Sequence, residues 1–300
     1  MNLKEDILKL KKERNVLILS HYYQNPDIQD IADYIGDSYF LSEICKKCSE
    51  ENIIFCGVKF MAESAKILSP NKRVFLPNPD SLCNMVFMAD SERVKKLKKN
   101  FPKANVVCYI NSSTEVKAVS DVCCTSSSAL NIVKNIDSNE IIFVPDKNLG
   151  SYIQEQIPEK KIILWDGFCN VHNKINKKDI LSAKEEYGQD IKVLVHPECT
   201  KEVRDLGDFI GSTGEIIKFS SSDSSKKYLI VTEDGILYKL KNENPHKEFY
   251  SLHMTCNSMK LTSLDDVYNC LKYFKNEVFI DEHIRKSAYK SLENMHILGR

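Results

Sequence analysis

Cys83, Cys169 and Cys256 are the residues of this chain best suited to chemistry at a metal. Cys169 lies 86 residues after Cys83, Cys256 lies 87 after Cys169, and each follows an apolar run. Local metal-binding motifs are far shorter, so the interval points to three copies of one unit, each giving one thiolate. Soft thiolates select zinc, copper or iron–sulfur clusters. A structural zinc would take a fourth protein ligand, which His172, three residues after Cys169, could supply. A [4Fe–4S] cluster on three cysteines instead leaves one iron open as a Lewis acid, which suits a dehydration. Spacing alone does not choose between these metals.

The elements that must position the thiols repeat with the same period. Apolar runs at 16–19, 106–108 and 193–195 lead to His21 and Tyr23, to Tyr109 and Asn111, and to His196 and Glu198. Counting from Tyr23, Asn111 and Glu198 without gaps brings three further sets into register: Asp27, Glu115 and Glu202; Asp33, Asp121 and Asp208; Ser38, Ser126 and Thr213. Ile28, Ile31 and Ile35 match Val116, Val119 and Cys123, then Val203, Leu206 and Ile210, and this i, i+3, i+7 pattern predicts one apolar helix face. Short β-rich runs follow at 53–55, 141–143 and 229–231, and again at 73–76, 161–164 and 248–250, just before each cysteine. Each unit therefore reads strand, helix, strand, helix, strand. That predicts an α/β protein: three homologous three-layer α/β/α domains with parallel sheets, arranged pseudo-threefold about a central active site. The expected boundaries are 1–82, 83–168 and 169–256, with helices of 257–300 packing on the first domain.

Composition narrows the function. The 300 residues carry 42 basic and 42 acidic side chains, so charge gives no case for nucleic acid or an anionic membrane. The Lys95-Lys96-Leu97-Lys98-Lys99 run reads as a solvated helix face. A charged start without a signal-like apolar stretch, and no run long enough to span a bilayer, lead us to expect a soluble, cytoplasmic protein. Eleven cysteines there argue for reduced thiols or metal ligation rather than a disulfide framework. Cys45 and Cys48 form a lone C-x-x-C on a charged helix; Cys56, Cys108, Cys199 and Cys270 read as small core residues, and Cys123 and Cys124 as packing near the site.

The polar clusters describe a ligand. Ser38, Ser126 and Thr213 each precede a helical segment, where hydroxyls and free N–H groups bind anions. Three around one axis suggest a small molecule with several carboxylates or phosphates. Glu198 and the imidazoles of His21 and His196 can exchange protons, and Tyr23 and Tyr109 can donate to a developing oxyanion.

At these residues the chain resembles the quinolinate synthase family. His21-Tyr22-Tyr23-Gln24, then Ile28-Gln29-Asp30-Ile31-Ala32-Asp33 and Gly36-Asp37-Ser38, is similar to its opening motif. Cys56-Gly57-Val58-Lys59-Phe60-Met61-Ala62-Glu63, Ser120 to Ser126, Pro145-Asp146-Lys147-Asn148-Leu149-Gly150 and His196-Pro197-Glu198-Cys199 extend the resemblance over nearly the whole chain. It implies three similar domains around a [4Fe–4S] cluster with three cysteine ligands and one open iron. The implied reaction condenses iminoaspartate with dihydroxyacetone phosphate to quinolinate, phosphate and two waters, for NAD biosynthesis, with a functional link to an iminoaspartate-producing enzyme. The family's ligands fall on Cys83, Cys169 and Cys256. Its substrate-binding positions fall on His21, Ser38, Tyr109, Asn111, Ser126, His196, Glu198 and Thr213, with Ser212 beside the last and His172 matching a site histidine. Tyr23 matches a tyrosine that assists proton transfer, Glu198 is the best candidate base, and Tyr109 and His196 complete the catalytic set. Two prolines common in the family, before Gly167 and after Cys256, are missing here. Two other readings keep the cysteines: a zinc-stabilised polycarboxylate-binding protein, and a diphthamide-type radical iron–sulfur enzyme. The first gives no reason for an open metal position, Tyr23 or Glu198, and the second needs a protein substrate and does not explain His196-Pro197-Glu198.

Overall fold

The structure, a computed structural model, describes residues 3–299. Its strands form three four-stranded parallel sheets of one design. The first contains β1 (Val16–His21), β2 (Tyr34–Gly36), β3 (Asn52–Cys56) and β4 (Arg73–Phe75) in the order β2-β1-β3-β4. The second contains β5 (Asn105–Tyr109), β6 (Val122–Cys124), β7 (Glu140–Val144) and β8 (Lys161–Leu164), ordered β6-β5-β7-β8. The third contains β9 (Lys192–Val195), β10 (Phe209–Ile210), β11 (Lys227–Val231) and β12 (Glu248–Ser251), ordered β10-β9-β11-β12. Helices flank the sheets, as the expected α/β/α layering requires. Central strands such as β1 bury every residue, which is why they read as continuous apolar runs rather than alternating ones.

One strand per unit escaped the sequence. The predicted helix face ran through Ile35, Cys123 and Ile210, but the helices are short, Pro26–Ile31, Thr114–Ala118 and Lys201–Arg204, and these three residues lie in the edge strands β2, β6 and β10. Strands of two or three residues are too short to show a period of their own. The repeated aspartates account for the change of direction. Asp33, Asp121 and Asp208 each accept the backbone N–H of Ile18, Val106 and Val193, all at 2.8 Å. Each also donates its own N–H to the carbonyl of that same residue, at 2.8, 3.0 and 2.8 Å. The pair of bonds pins the start of each edge strand beside the first strand of its sheet.

A second threefold set became visible only in the structure. Lys72 donates to Cys48 O and Glu50 O at 2.6 and 2.8 Å, Lys160 to Val133 O and Ile136 O, and Lys247 to Ser220 O and Asp223 O at 2.5 and 2.7 Å. These carbonyls lie at or just beyond helix ends that lack intrahelical donors, so each ammonium caps a helix.

The segments after Cys256 divide their packing. Helix Leu264–Tyr273 lies against helix Leu3–Glu13 and β3, sharing a core with Ile7, Ile28 and Phe75. Helix Glu282–Leu298 packs chiefly on helix Thr114–Ala118 and β6, and also on helix Lys59–Leu68, so it bridges the second unit and the first rather than resting on the first alone. Among the described residues no helix is long and apolar enough to cross a membrane.

Candidate active site

Each cysteine of the trio follows the last strand of its sheet, and His21, Tyr109 and His196 stand at or just after the ends of β1, β5 and β9. Open parallel sheets place ligand-binding groups beyond these carboxyl ends. Here the three sets of loops meet around one cavity. Cys83, Cys169 and Cys256 line it together with His21, Tyr23, Ser38, Tyr109, Asn111, Ser126, His172, His196, Glu198 and Thr213. Ser212 does not. Its hydroxyl bonds Glu215 Oε2 at 2.7 Å in a capping box at the start of helix Thr213–Ser222.

That cap leaves its neighbour's hydroxyl to the cavity. Ser212 and Asp37 occupy the cap positions of their helices, so Thr213 and Ser38 become first helical residues with hydroxyls turned to the cavity. Ser126 lies in the turn before helix Ala129–Asn135, whose preceding loop is closed by Ser128 Oγ accepting the Thr125 N–H at 2.9 Å.

The two histidines at equivalent positions share a tautomer. His21 Nδ1 accepts the Tyr23 N–H at 3.1 Å, and His196 Nδ1 accepts the Glu198 N–H at 3.3 Å. A neutral ring that accepts at Nδ1 carries its proton at Nε2. Burial pushes both rings down to about 3, helped by the Lys260 charge at His21 and by His172 at His196. Both are therefore neutral Nε2–H donors near neutral pH.

This has a stability consequence. The unfolded histidine titrates near 6.5, so below that pH the unfolded chain takes up protons that the folded chain refuses. Stability is full above about pH 6.5 and falls as the pH drops through the window toward 3, by up to about 1.4 kcal/mol per pH unit for each histidine. Urea unfolding between pH 7.5 and 5.5 should show this loss, and a His21→Gln, His196→Gln double variant should be flatter. An equal slope in both proteins would count against buried neutral rings.

Glu198 is buried and paired. Its Oε2 lies 2.8 Å from His172 Nδ1, while Oε1 has no partner and is left for a ligand or a proton. Burial alone would raise this carboxyl, but the His172 charge and hydrogen bond outweigh it and hold it at about 2. From His172 an unbroken chain of hydrogen bonds crosses the site. His172 Nε2 is 2.9 Å from Thr232 Oγ1, Thr232 Oγ1 is 2.8 Å from the Tyr23 hydroxyl, and that hydroxyl is 2.6 Å from Thr213 Oγ1. Burial pushes Tyr23 well above its ordinary value, and burial followed by the Glu198 charge does the same to Tyr109, so both remain hydroxyl donors.

The thiols fit a metal. None is in a disulfide, and burial pushes Cys83 up to about 12, Cys169 well above the usual thiol range and Cys256 upward. A metal must displace these protons as it binds. Three soft donors facing one space, with the unpartnered Glu198 Oε1 beside them, are suited to a metal group with room for a further ligand. Ligand atoms of Cys169, His172 and Glu198 also lie within 4.8 Å of one another. His172 Nδ1 accounts for that closeness, since it is 3.2 Å from Cys169 Sγ as well as 2.8 Å from Glu198.

Several supporting residues were not legible as site residues. Lys260 donates to Tyr23 O at 2.6 Å and pairs with Glu233 at 3.1 Å, joining the Tyr23 loop to the third sheet. Gly235 lets those loops meet: an added Cβ would lie 2.6 Å from Tyr23 Cα and 2.8 Å from Tyr22 O. Thr232, Glu233 and Lys260 carry no motif, although Glu233 stands 87 residues after Asp146, in the period of the cysteines.

A three-sheet α/β enzyme with a thiol-lined cavity between its sheets is the class this geometry defines. The family described as Quinolinate synthetase A protein matches residues 5–297. The quinolinate synthase of Clostridium novyi (strain NT) is 62% identical over 298 residues, covering 99% of each chain. That of Clostridium perfringens (strain 13 / Type A) is 58% identical over 301 aligned positions and covers 100% of each. The enzyme of Caldicellulosiruptor saccharolyticus is 51% identical over 295, covering 98% of this chain and 97% of its own. The chain belongs to the quinolinate synthetase A family.

Proposed function

We propose that this chain condenses iminoaspartate with dihydroxyacetone phosphate to quinolinate, releasing phosphate and two waters. Family membership at this identity supports quinolinate formation, and the cavity chemistry supports the rest. The observation that carries the reading is the convergence of Cys83, Cys169 and Cys256 on the same cavity as hydroxyls from all three units.

The thiols would hold a [4Fe–4S] cluster at its corners. Bound there, such a cluster supplies an iron without a protein ligand, a Lewis acid for a hydroxyl that must leave as water. The remaining work falls to the chain itself. Ser38, Ser126, Thr213 and Asn111 donate to the carboxylates or phosphate of the substrates, and the Nε2–H groups of His21 and His196 do so without adding charge. Glu198 Oε1, ionised and unpartnered, takes the proton from a substrate carbon or nitrogen. The Tyr23 hydroxyl, linked through Thr232 to His172, returns a proton to a leaving oxygen, and Tyr109 donates to developing negative charge. Val58, Phe60, Met61 and Met259 form apolar walls that limit competing water.

The compact grouping of Cys169, His172 and Glu198 favours a second reading, a single divalent ion. One preparation decides between them. Protein purified without oxygen should contain iron and sulfide and should form quinolinate from freshly generated iminoaspartate and dihydroxyacetone phosphate. Zinc without iron would overturn the cluster, and no quinolinate from an iron-loaded protein would overturn the activity.

A further inference from the structure

The three cysteine loops are tied to the fold by one shared clasp. Lys59 N–H donates to Ser81 O at 2.8 Å, Lys147 N–H to Gly167 O at 2.8 Å and Asp234 N–H to Met254 O at 2.9 Å, each acceptor two residues before its cysteine. A second anchor exists in only two units. The buried Asp146 accepts the Cys169 N–H at 3.1 Å through one oxygen, and its other oxygen takes the N–H groups of Asn148 and Leu149 at 2.8 and 2.9 Å. Glu233, also buried, accepts the Cys256 N–H at 3.1 Å and the Gly235 N–H at 2.7 Å, and is itself held by Lys260.

The first unit breaks this symmetry. Asp146 and Glu233 each stand two residues after their strand, and in the first unit that position is Val58, whose side chain cannot accept a hydrogen bond. No acceptor for the Cys83 N–H is found among the described residues. Cys83 also lines a second cavity, with Lys59, Leu82, Val86 and the 71% exposed Phe87.

A backbone N–H that donates to a buried carboxyl oxygen is held in place by it, which restrains the peptide that carries the ligand. We propose that Asp146 and Glu233 are positioning residues that lock the Cys169 and Cys256 corners, so that the metal group is gained and lost through the Cys83 corner. This rests on the three-cysteine reading above. Enclosure does not distinguish the corners, since all three cysteines are partly buried.

The order in which the thiols become free tests it. Protein reconstituted anaerobically with iron and sulfide is exposed to an iron chelator, N-ethylmaleimide pulses trap freed thiols, and mass spectrometry follows each cysteine. Cys83 should be alkylated about tenfold faster than the other two, the rate ratio that one hydrogen bond supports. Asp146→Ala, which removes the acceptor, should bring Cys169 forward toward the rate of Cys83, and Glu233→Ala should do so for Cys256. Labelling of Cys256 or Cys169 first, labelling of all three together, or unchanged order in both variants would overturn the proposal. If all three thiols are alkylated in the loaded protein before any chelator is added, the three-cysteine reading itself fails, and that outcome is distinct from the others.

Discussion

Cys83→Ala, Cys169→Ala and Cys256→Ala should each yield a folded protein that retains little iron and forms quinolinate about 10³-fold more slowly or worse. Lewis-acid stabilisation contributes several kcal/mol, and each 1.4 kcal/mol is about tenfold in rate. No other thiol can take over, because Cys45, Cys56, Cys108, Cys123, Cys124, Cys199 and Cys270 are buried among core side chains and the partly buried Cys48 does not line the cavity. Cys45→Ala is the matching control. Its sulfur lies in the core beneath helix Ser38–Lys47, so that variant should keep both iron and activity. Iron and sulfide determination with circular dichroism checks folding and loading together. Iron retained in all three variants, or lost from Cys45→Ala, would mean that other thiols hold the metal.

Glu198→Gln should lower kcat by about 10²–10⁴, the usual contribution of a positioned acid or base. The amide keeps the size of the side chain and removes the basic oxygen. The loss should appear in kcat and kcat/KM together, as it does for a group acting in the transition state. Because Glu198 is held at about 2, the acid side of the wild-type rate profile should not show the ordinary carboxylate titration near 4.3. Thr232→Val cuts the same chain of hydrogen bonds further along while leaving Glu198 in place. Its expected loss is smaller, on the order of tenfold, because solvent or substrate can partly replace one link. A Glu198→Gln enzyme with nearly full kcat would move the base elsewhere, with Tyr109 the next group to test.

What the sequence revealed followed from how locally each feature is encoded. The central strands announced themselves as apolar runs, and the cysteines, histidines and hydroxyls of the cavity follow strand ends at a constant phase, so the repeat alone grouped them. Ser212 is grouped by adjacency, but its side chain is consumed by the helix cap that leaves Thr213 facing the cavity. The edge strands β2, β6 and β10 were hidden because two or three residues carry no period. Thr232 and Lys260 were hidden for another reason: they act through partners 190 or more positions away or on another sheet, as when Thr232 meets Tyr23 and Lys260 meets Tyr23 O. Asp146 and Glu233 lay within reach of the repeat, since they share the cysteine period, yet only the backbone geometry shows that they hold Cys169 and Cys256.

Helix Glu282–Leu298 adds a requirement on timing. Ser291 donates to Lys117 O, 174 positions upstream, Asn294 donates to Asp121 O, and Lys46 meets Glu293 at 2.7 Å. These contacts close the layer over β6, the strand that leads to Ser126. On the ribosome, the second sheet is therefore complete in sequence long before its cover has been synthesised. A nascent chain stalled ahead of this helix would hold all three cysteines and all three hydroxyls, yet present an uncovered apolar face. A metal group would then meet either a chain whose second sheet is covered or one that is still unfinished.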